Sequence, residues 1–97
     1  MSAKAALRII RECIAADRLA FTKHFLERLE ERALFWPDVA TVFDRPTGIR
    51  PGDGDPYGRP KWIVSGPAAD GLPLDVVCVL DQDTQGHVTV LITIYFQ

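Results

Sequence analysis

Apolar side chains recur with the period of an α-helix through the first part of the chain. Leu7, Ile10 and Ile14 form one stripe, and the basic residues gather opposite it. This pattern predicts an amphipathic helix from its N-cap, Ser2, to about Ala16, with its apolar face on a core.

Two further helices are predicted before the chain changes character. Thr22 is well placed as the N-cap of the second helix, in which Phe25 and Leu29 lie on the predicted buried face. Pro37 suits the first turn of a third, short helix that reaches about Phe43. The residues between the first two helices are predicted to form a break or a short extended segment.

Strand patterns dominate the second half of the chain. The Pro- and Gly-rich segment Asp44–Pro60 predicts a long loop with at most a short strand around Ile49. Lys61–Ser65, Leu74–Leu80 and His87–Phe96 follow as three strands separated by turn residues.

The last strand alternates between two kinds of face. One is wholly apolar and is predicted to pack on the helices, and the other is mixed and at least partly open. The apolar face contains Val88, Val90, Ile92, Ile94 and Phe96, and the mixed face contains His87, Thr89, Leu91, Thr93 and Tyr95. Helices followed by antiparallel strands predict one α+β domain over residues 1–97, with the N-terminal helices on one face of an antiparallel sheet of three or four strands.

Composition narrows the classes of function. The chain is 47% hydrophobic with a net charge of −2, and no apolar run is long enough to span a membrane, so we expect a cytoplasmic protein. The negative charge argues against binding nucleic acid through the whole surface. Cys13, Cys78, His24 and His87 show no ligand-pair spacing, so we expect no metal and no cofactor.

Basic side chains cluster on the second helix. His24, Arg28 and Arg32 follow one another at four-residue steps, so they form a slanting row along the helix. On helical geometry Arg32 lies nearest the core and His24 farthest from it.

The order of these motifs resembles a known bacterial family. A helix carrying T-x-H-x-x-x-R-x-x-x-R from Thr22 to Arg32, a strand beginning Gly58-Arg59-x-Lys61, and a final strand with Thr93-x-Tyr95 are similar to domain-of-unknown-function family 4258. That family often has glycine after the second arginine, where this chain has Ala33.

The resemblance implies a RelE/ParE-like α+β fold. By analogy with RelE, ParE and motility quorum-sensing regulator toxins, it also implies a toxin that cleaves mRNA without a metal and is held inactive by an antitoxin protein. RNA and an antitoxin are therefore the expected partners, although a fold does not settle a function.

Metal-independent RNA cleavage needs proton transfer and cations for the phosphate. We assign the catalytic roles to His24, Lys61 and Tyr95, with His87 as the other imidazole. The predicted substrate-binding residues are Arg28, Arg59 and Trp62, in which the arginines hold phosphate and the indole stacks.

Each of these residues has a structural alternative. Neighbouring glutamates can pair with Arg28 and Arg32, and for Arg32 we favour a structural ion pair or a hydrogen bond to a loop carbonyl. Trp62 reads most simply as a core residue.

The rival function is a non-enzymatic protein-binding module or a homodimer. It would use the mixed sheet face or the Pro/Gly loop, with anchors at Leu91, Leu72, Trp36 and Trp62. An enzyme should gather its histidine, Arg28, Lys61 and Tyr95 into one cleft, whereas a binding module should leave them scattered beside an apolar patch.

Overall fold

The computed structural model describes the whole chain, residues 1–97, as three helices and one sheet. The helices are α1 (Ala3–Ala15), α2 (Lys23–Glu31) and α3 (Trp36–Asp44). The strands are β1 (Leu19–Phe21), β2 (Gly48–Pro51), β3 (Lys61–Pro67), β4 (Pro73–Asp83) and β5 (Gly86–Phe96). The α+β class is confirmed, as are the predicted N-caps Ser2 and Thr22, whose side chains accept hydrogen bonds from Ala5 N and Phe25 N.

The sheet differs from the predicted one in strand number and direction. Its order is β1-β5-β4-β3-β2, and β1 pairs with β5 in parallel while all other pairs are antiparallel. The prediction of three or four antiparallel strands is therefore wrong. The strand that it lacks, Leu19–Phe21, has only three residues, too few for an alternating pattern to show in the sequence.

A β-bulge in β5 changes which side chains face the helices. Leu91 lies opposite Cys78 and Thr93 lies opposite Val77, so Ile92 has no partner on β4. Before the bulge the core-facing residues are Thr89 and Leu91; after it they are Ile94 and Phe96, which pair with the core residues Val76 and Leu74. The predicted wholly apolar face of β5 is therefore wrong, because its two halves lie on opposite sides of the sheet.

The hydrophobic core lies between the sheet and the helices, mainly α1 and α3, and α2 contributes Phe25 and Leu29 to it. α3 packs on β3 and β4, while α1 reaches from β5 to β2. Gly66 permits the close approach of α3, since a Cβ there would lie 2.8 Å from the Val42 carbonyl oxygen. None of the three helices combines the length and the apolar character that crossing a membrane requires.

The end of α2 is a Schellman motif with an alanine in the position that favours glycine. Ala33 N donates to Glu30 O and Leu34 N donates to Leu29 O. Ala33 adopts φ 53°, which is the left-handed region where a Cβ meets the following carbonyl. The family that the sequence resembles often has glycine at this position, and the left-handed conformation of Ala33 gives the physical reason.

Replacing Ala33 with glycine is expected to stabilise the protein. Relief of left-handed strain contributes about 1–2 kcal/mol, and the greater backbone entropy of unfolded glycine offsets about 0.5–1 kcal/mol of it. Urea denaturation should show a net increase of about 0.5–1 kcal/mol in the free energy of unfolding.

Ala16→Gly is the matched control, because Ala16 also follows a helix but has φ −93°. It should lower the free energy of unfolding, and equal effects of the two changes would contradict the strain at Ala33.

Candidate functional site

The helix α2 lies along the edge of β5 that β1 leaves uncovered. Phe21, the last residue of β1, pairs with Leu91, and five residues of β5 continue beyond that point. Thr22 extends the contact, since its backbone N–H donates to Leu91 O and its hydroxyl lies 3.0 Å from Leu91 O and 3.3 Å from Ile92 O. We call this contact between α2 and residues 91–96 the α2–β5 seam.

His24 joins the seam through Thr93. The distance from His24 Nε2 to Thr93 Oγ1 is 3.1 Å, and Thr93 is buried while His24 is exposed. A neutral imidazole that donates from Nε2 to the hydroxyl keeps Nδ1 as an acceptor, and the opposite tautomer presents Nδ1–H as a donor. In either case one ring nitrogen is held by the protein and the other is left for a ligand.

Arg28 is the most buried member of the basic row. Its Nη2 donates to Ile94 O at 3.2 Å, and its Nη1 lies 3.5 Å from a carboxylate oxygen of Glu31. The guanidinium carbon is 5.7 Å from the ring centroid of Tyr95, within the range of a cation–π contact. The Nε atom is buried and has no hydrogen-bond partner, so it is an unsatisfied donor inside the protein.

Arg32 ends the row in an unexpected environment. Its guanidinium carbon lies 4.7 Å from the ring centroid of Phe96, and it forms neither an ion pair nor a side-chain hydrogen bond. The favoured structural ion pair is therefore absent. The predicted order of burial is also wrong, because Arg28 is half-buried while Arg32 and His24 are exposed.

The basic row of α2 can follow β5 because the spacing of its residues along the helix nearly equals the spacing of alternate residues along the strand. Four residues of helix advance about 6 Å, and two residues of strand advance about 6.6 Å. The step from His24 to Arg28 therefore corresponds to the step from Thr93 to Tyr95. His24, Arg28 and Tyr95, three of the residues expected together in an enzyme, therefore lie on the same stretch of β5.

Two other candidates lie away from the seam. Lys61 pairs with Val79 of β4, and Val79 pairs with Val90 of β5. Lys61 is therefore two strands, or about 10 Å, away from β5 across the sheet. Its aliphatic stem lies against Gly52. His87 is at the other end of β5, six residues or about 20 Å from Thr93, and its Nε2 is 3.1 Å from Gln82 Nε2.

Arg59 is held by two carboxylates instead of standing free. Its Nε and Nη2 bond Asp55 at 2.9 and 3.2 Å, and its Nη1 bonds Asp81 at 3.1 Å. The hydrogen bonds from Arg59 lower the pKa of Asp55 to about 2. Since two carboxylates already occupy the guanidinium, the structure favours a role for Arg59 in closing the loop before β3.

Trp62 belongs to the hydrophobic core. It is 6% exposed and lies on the face of β3 that packs against the helices, opposite Cys78. A base cannot stack on an indole in this position, so its placement favours the structural role. Burial also raises the pKa of the Cys78 thiol to about 12, which makes that cysteine unreactive.

The face of the sheet turned away from α1 and α3 carries aliphatic side chains with charges around them. We call it the open sheet face. Its half-buried aliphatics Ile63, Val88 and Val90 lie outside the core cluster. Strand pairing also places on this face Lys61, Val77, Val79, Asp75, Asp81, Arg50, Thr93 and Tyr95.

The comparison with known families covers the seam completely. Residues 21–96 match the domain of unknown function DUF4258. The chain belongs to this family. The matched region contains Thr22, the whole basic row and all of the β5 residues that contact it, whereas α1 precedes it. No curated protein matches the chain.

The sequence pattern does not assign roles to two residues of the seam. Thr93 appears in the motif only as a spaced neighbour of Tyr95, yet its hydroxyl contacts His24. Ile94 contributes its carbonyl oxygen, which has no signal in any side-chain pattern. The threonine in an otherwise apolar stretch is the one available hint, because a buried hydroxyl requires a hydrogen-bond partner.

Asp55→Asn is expected to destabilise the protein at pH 7, because the amide replaces the carboxylate that binds Arg59 and the backbone N–H groups of Tyr57 and Arg59. The folded pKa of Asp55 lies below the unfolded value, so its stabilisation is full above about pH 5 and is lost as the pH falls towards 2. The difference between wild type and variant in urea midpoint should shrink over that range.

Asp53→Asn is the control, since Asp53 is exposed and has no ion-pair partner. A pH-independent difference for Asp55→Asn would contradict the carboxylate–arginine explanation.

Proposed function

We propose that this protein is a toxin-type relative of the RelE/ParE group that binds single-stranded RNA at the α2–β5 seam. The supporting observation is the convergence of His24, Arg28 and Tyr95 on one stretch of β5. An imidazole, a guanidinium and an exposed phenol ring are the groups that bind the phosphate and the base of a nucleotide.

Tyr95 supplies the stacking surface in this proposal. Its side chain is 52% exposed. Arg28 contacts the ring from the side that faces the protein and so fixes its orientation. Nη1 of Arg28 is the donor for a phosphate oxygen in this proposal, because its partner there is the Glu31 carboxylate at 3.5 Å, on a side chain that is 59% exposed and can be displaced. Base and phosphate are therefore recognised by adjacent side chains.

Cleavage is the activity that we assign to the bound RNA. His24 accepts the proton of the ribose 2′-hydroxyl, the 2′-oxygen bonds to phosphorus, and the bond from phosphorus to the 5′-oxygen breaks. Tyr95 donates the proton to the leaving 5′-oxygen, and Arg28 stabilises the charge that builds on the phosphate. Lys61 lies two strands away from β5, so this scheme gives it no contact with the reacting phosphate.

Tyr95→Ala is expected to weaken binding of a fluorescently labelled single-stranded RNA, measured by fluorescence polarisation. Loss of one stacked base is worth about 1–3 kcal/mol, which corresponds to about 5- to 150-fold in the dissociation constant. Arg28→Gln should in addition reduce the slope of log K against log salt by about 0.7 for each phosphate that the variant no longer binds.

Tyr57→Ala is the matched control, because Tyr57 is also an exposed tyrosine below an arginine but lies at the Arg59 cluster. It should leave RNA binding unchanged. Equal losses for Tyr57→Ala and Tyr95→Ala would contradict a site at the seam.

His24→Gln separates cleavage from binding in the same set of variants. It should retain RNA affinity while it abolishes cleavage in EDTA and the growth arrest that induced wild-type protein causes in a bacterial host. RNA binding without cleavage by wild type would limit the function to binding, and a folded wild type that neither binds RNA nor arrests growth would overturn the proposal.

A second candidate is a homodimer formed through the open sheet face. Ile63, Val88 and Val90 keep apolar surface on a face that also carries charges of both signs. The two-fold axis of a dimer pairs a surface with itself, and the charges on this face do not oppose that pairing, because Arg50 is paired with Asp75 and Asp81 with Arg59 within the chain.

Analytical ultracentrifugation tests this candidate. Wild type should show a concentration-dependent mass between monomer and dimer, and Val90→Lys, checked by circular dichroism, should sediment as a monomer. Leu26→Lys is the control, because Leu26 is 51% exposed on α2 and should leave association unchanged. A wild type that is monomeric at all concentrations would exclude the dimer.

A further inference from the structure

A groove runs along α1 on the side where the helix meets the end of α3. It encloses about 630 Å³, within the range of about 300–1,000 Å³ typical of ligand pockets. Leu7, Ile14 and Ala15 provide its accessible apolar lining, and Phe43 lies buried beneath them. None of its lining residues belongs to the α2–β5 seam, and those on α1 precede the part of the chain that matches the DUF4258 domain.

The spacing of the apolar residues suits a helical ligand. Leu7 and Ile14 are seven residues apart, which places them on one stripe of α1 about 10.5 Å apart. A helix that packs along α1 presents residues i and i+7 at the same interval, and helix-in-groove complexes use anchors with this spacing. The groove is long enough for about two to three turns of such a ligand.

The rim of the groove is more basic than the protein as a whole. It carries Lys4, Arg8 and Arg11 against Glu12 and Asp44, whereas the whole chain has a net charge of −2. Arg8 pairs with Glu12 at 3.3 Å, and both side chains are 64% exposed. Lys4 and Arg11 form no ion pair or side-chain hydrogen bond, so two cations on the rim are available to a partner.

From these features we infer that the α1 groove binds an acidic amphipathic helix of a partner protein. Its apolar residues at i, i+4 and i+7 pack on Leu7, Ile14 and Ala15, and its carboxylates bond Lys4 and Arg11. The apolar face of the partner helix supplies the affinity. The basic rim of the groove selects a helix with negative charge and fixes the direction in which that helix lies along α1.

Designed peptides test this inference against the full-length protein. The probes are helical peptides with leucines at i, i+4 and i+7 and glutamates flanking them, and matched peptides in which every glutamate is a lysine. Fluorescence anisotropy should show binding of the acidic peptide only. Arg11→Glu should weaken it by about tenfold or more, because like charges then face each other.

Lys23→Glu is the control variant, since it changes the net charge equally on an exposed residue of α2. It should leave peptide affinity unchanged. Amide resonances that shift on titration should lie in α1 and around Phe43.

Three results would overturn the inference. They are absence of binding by the acidic peptides, equal binding of acidic and basic peptides, and resonance shifts confined to other surfaces. Binding to anionic phosphatidylserine vesicles without binding to the peptide would likewise replace the helical partner with a lipid surface. RNA binding at the seam is measured separately, so either proposal can fail without the other.

Discussion

The uncovered edge of β5 is the constraint on which the arrangement of α2 depends. β1 stops opposite Leu91, and a strand edge without partners exposes a row of backbone groups. Thr22 and Arg28 supply donors to the carbonyls of Leu91, Ile92 and Ile94, in place of a longer β1. A hydrogen bond from a charged donor contributes about 1.5–3 kcal/mol, so the Arg28 contact alone is a substantial restraint on the helix.

Local signals predicted the helices and the α+β class, but not the arrangement of the sheet. The caps Ser2 and Thr22 and the apolar periodicity of α1 and α2 depend on residues close together in the chain, and the helices begin where those residues indicate. The bulge at Ile92 is different, because it is defined by a partner strand. No pattern within β5 shows that its pairing shifts by one residue, and a one-residue shift exchanges the two faces.

The candidate site could be predicted only in part for the same reason. The four-residue spacing placed His24 and Arg28 on one row of α2, and helical geometry is sufficient for that step. Their contact with Thr93 and Tyr95 requires α2 to lie beside β5, which follows from strand order. Lys61 was predicted to join them because its charge suits the chemistry, but β4 lies between its strand and β5.

The two Arg–Tyr pairs show how the environment decides what an arginine can bind. Arg59 above Tyr57 has two carboxylate partners, so an incoming phosphate would have to displace Asp55 and Asp81. Arg28 beside Tyr95 has a strand carbonyl and one carboxylate, the exposed Glu31 at 3.5 Å. A single exposed carboxylate is displaced more readily than the two that hold Arg59, which favours anion binding at the seam over the Arg59 cluster.

Structural and functional roles can share the seam because they use different atoms. The edge of β5 needs the Thr22 hydroxyl and Nη2 of Arg28, and those contacts are made inside the protein. They do not require an exposed imidazole at His24 or a phenol at Tyr95, since neither side chain bonds a strand carbonyl. The fold thus explains the threonine at the N-cap of α2 and the arginine at position 28, and in our proposal His24 and Tyr95 are the residues that act on the RNA.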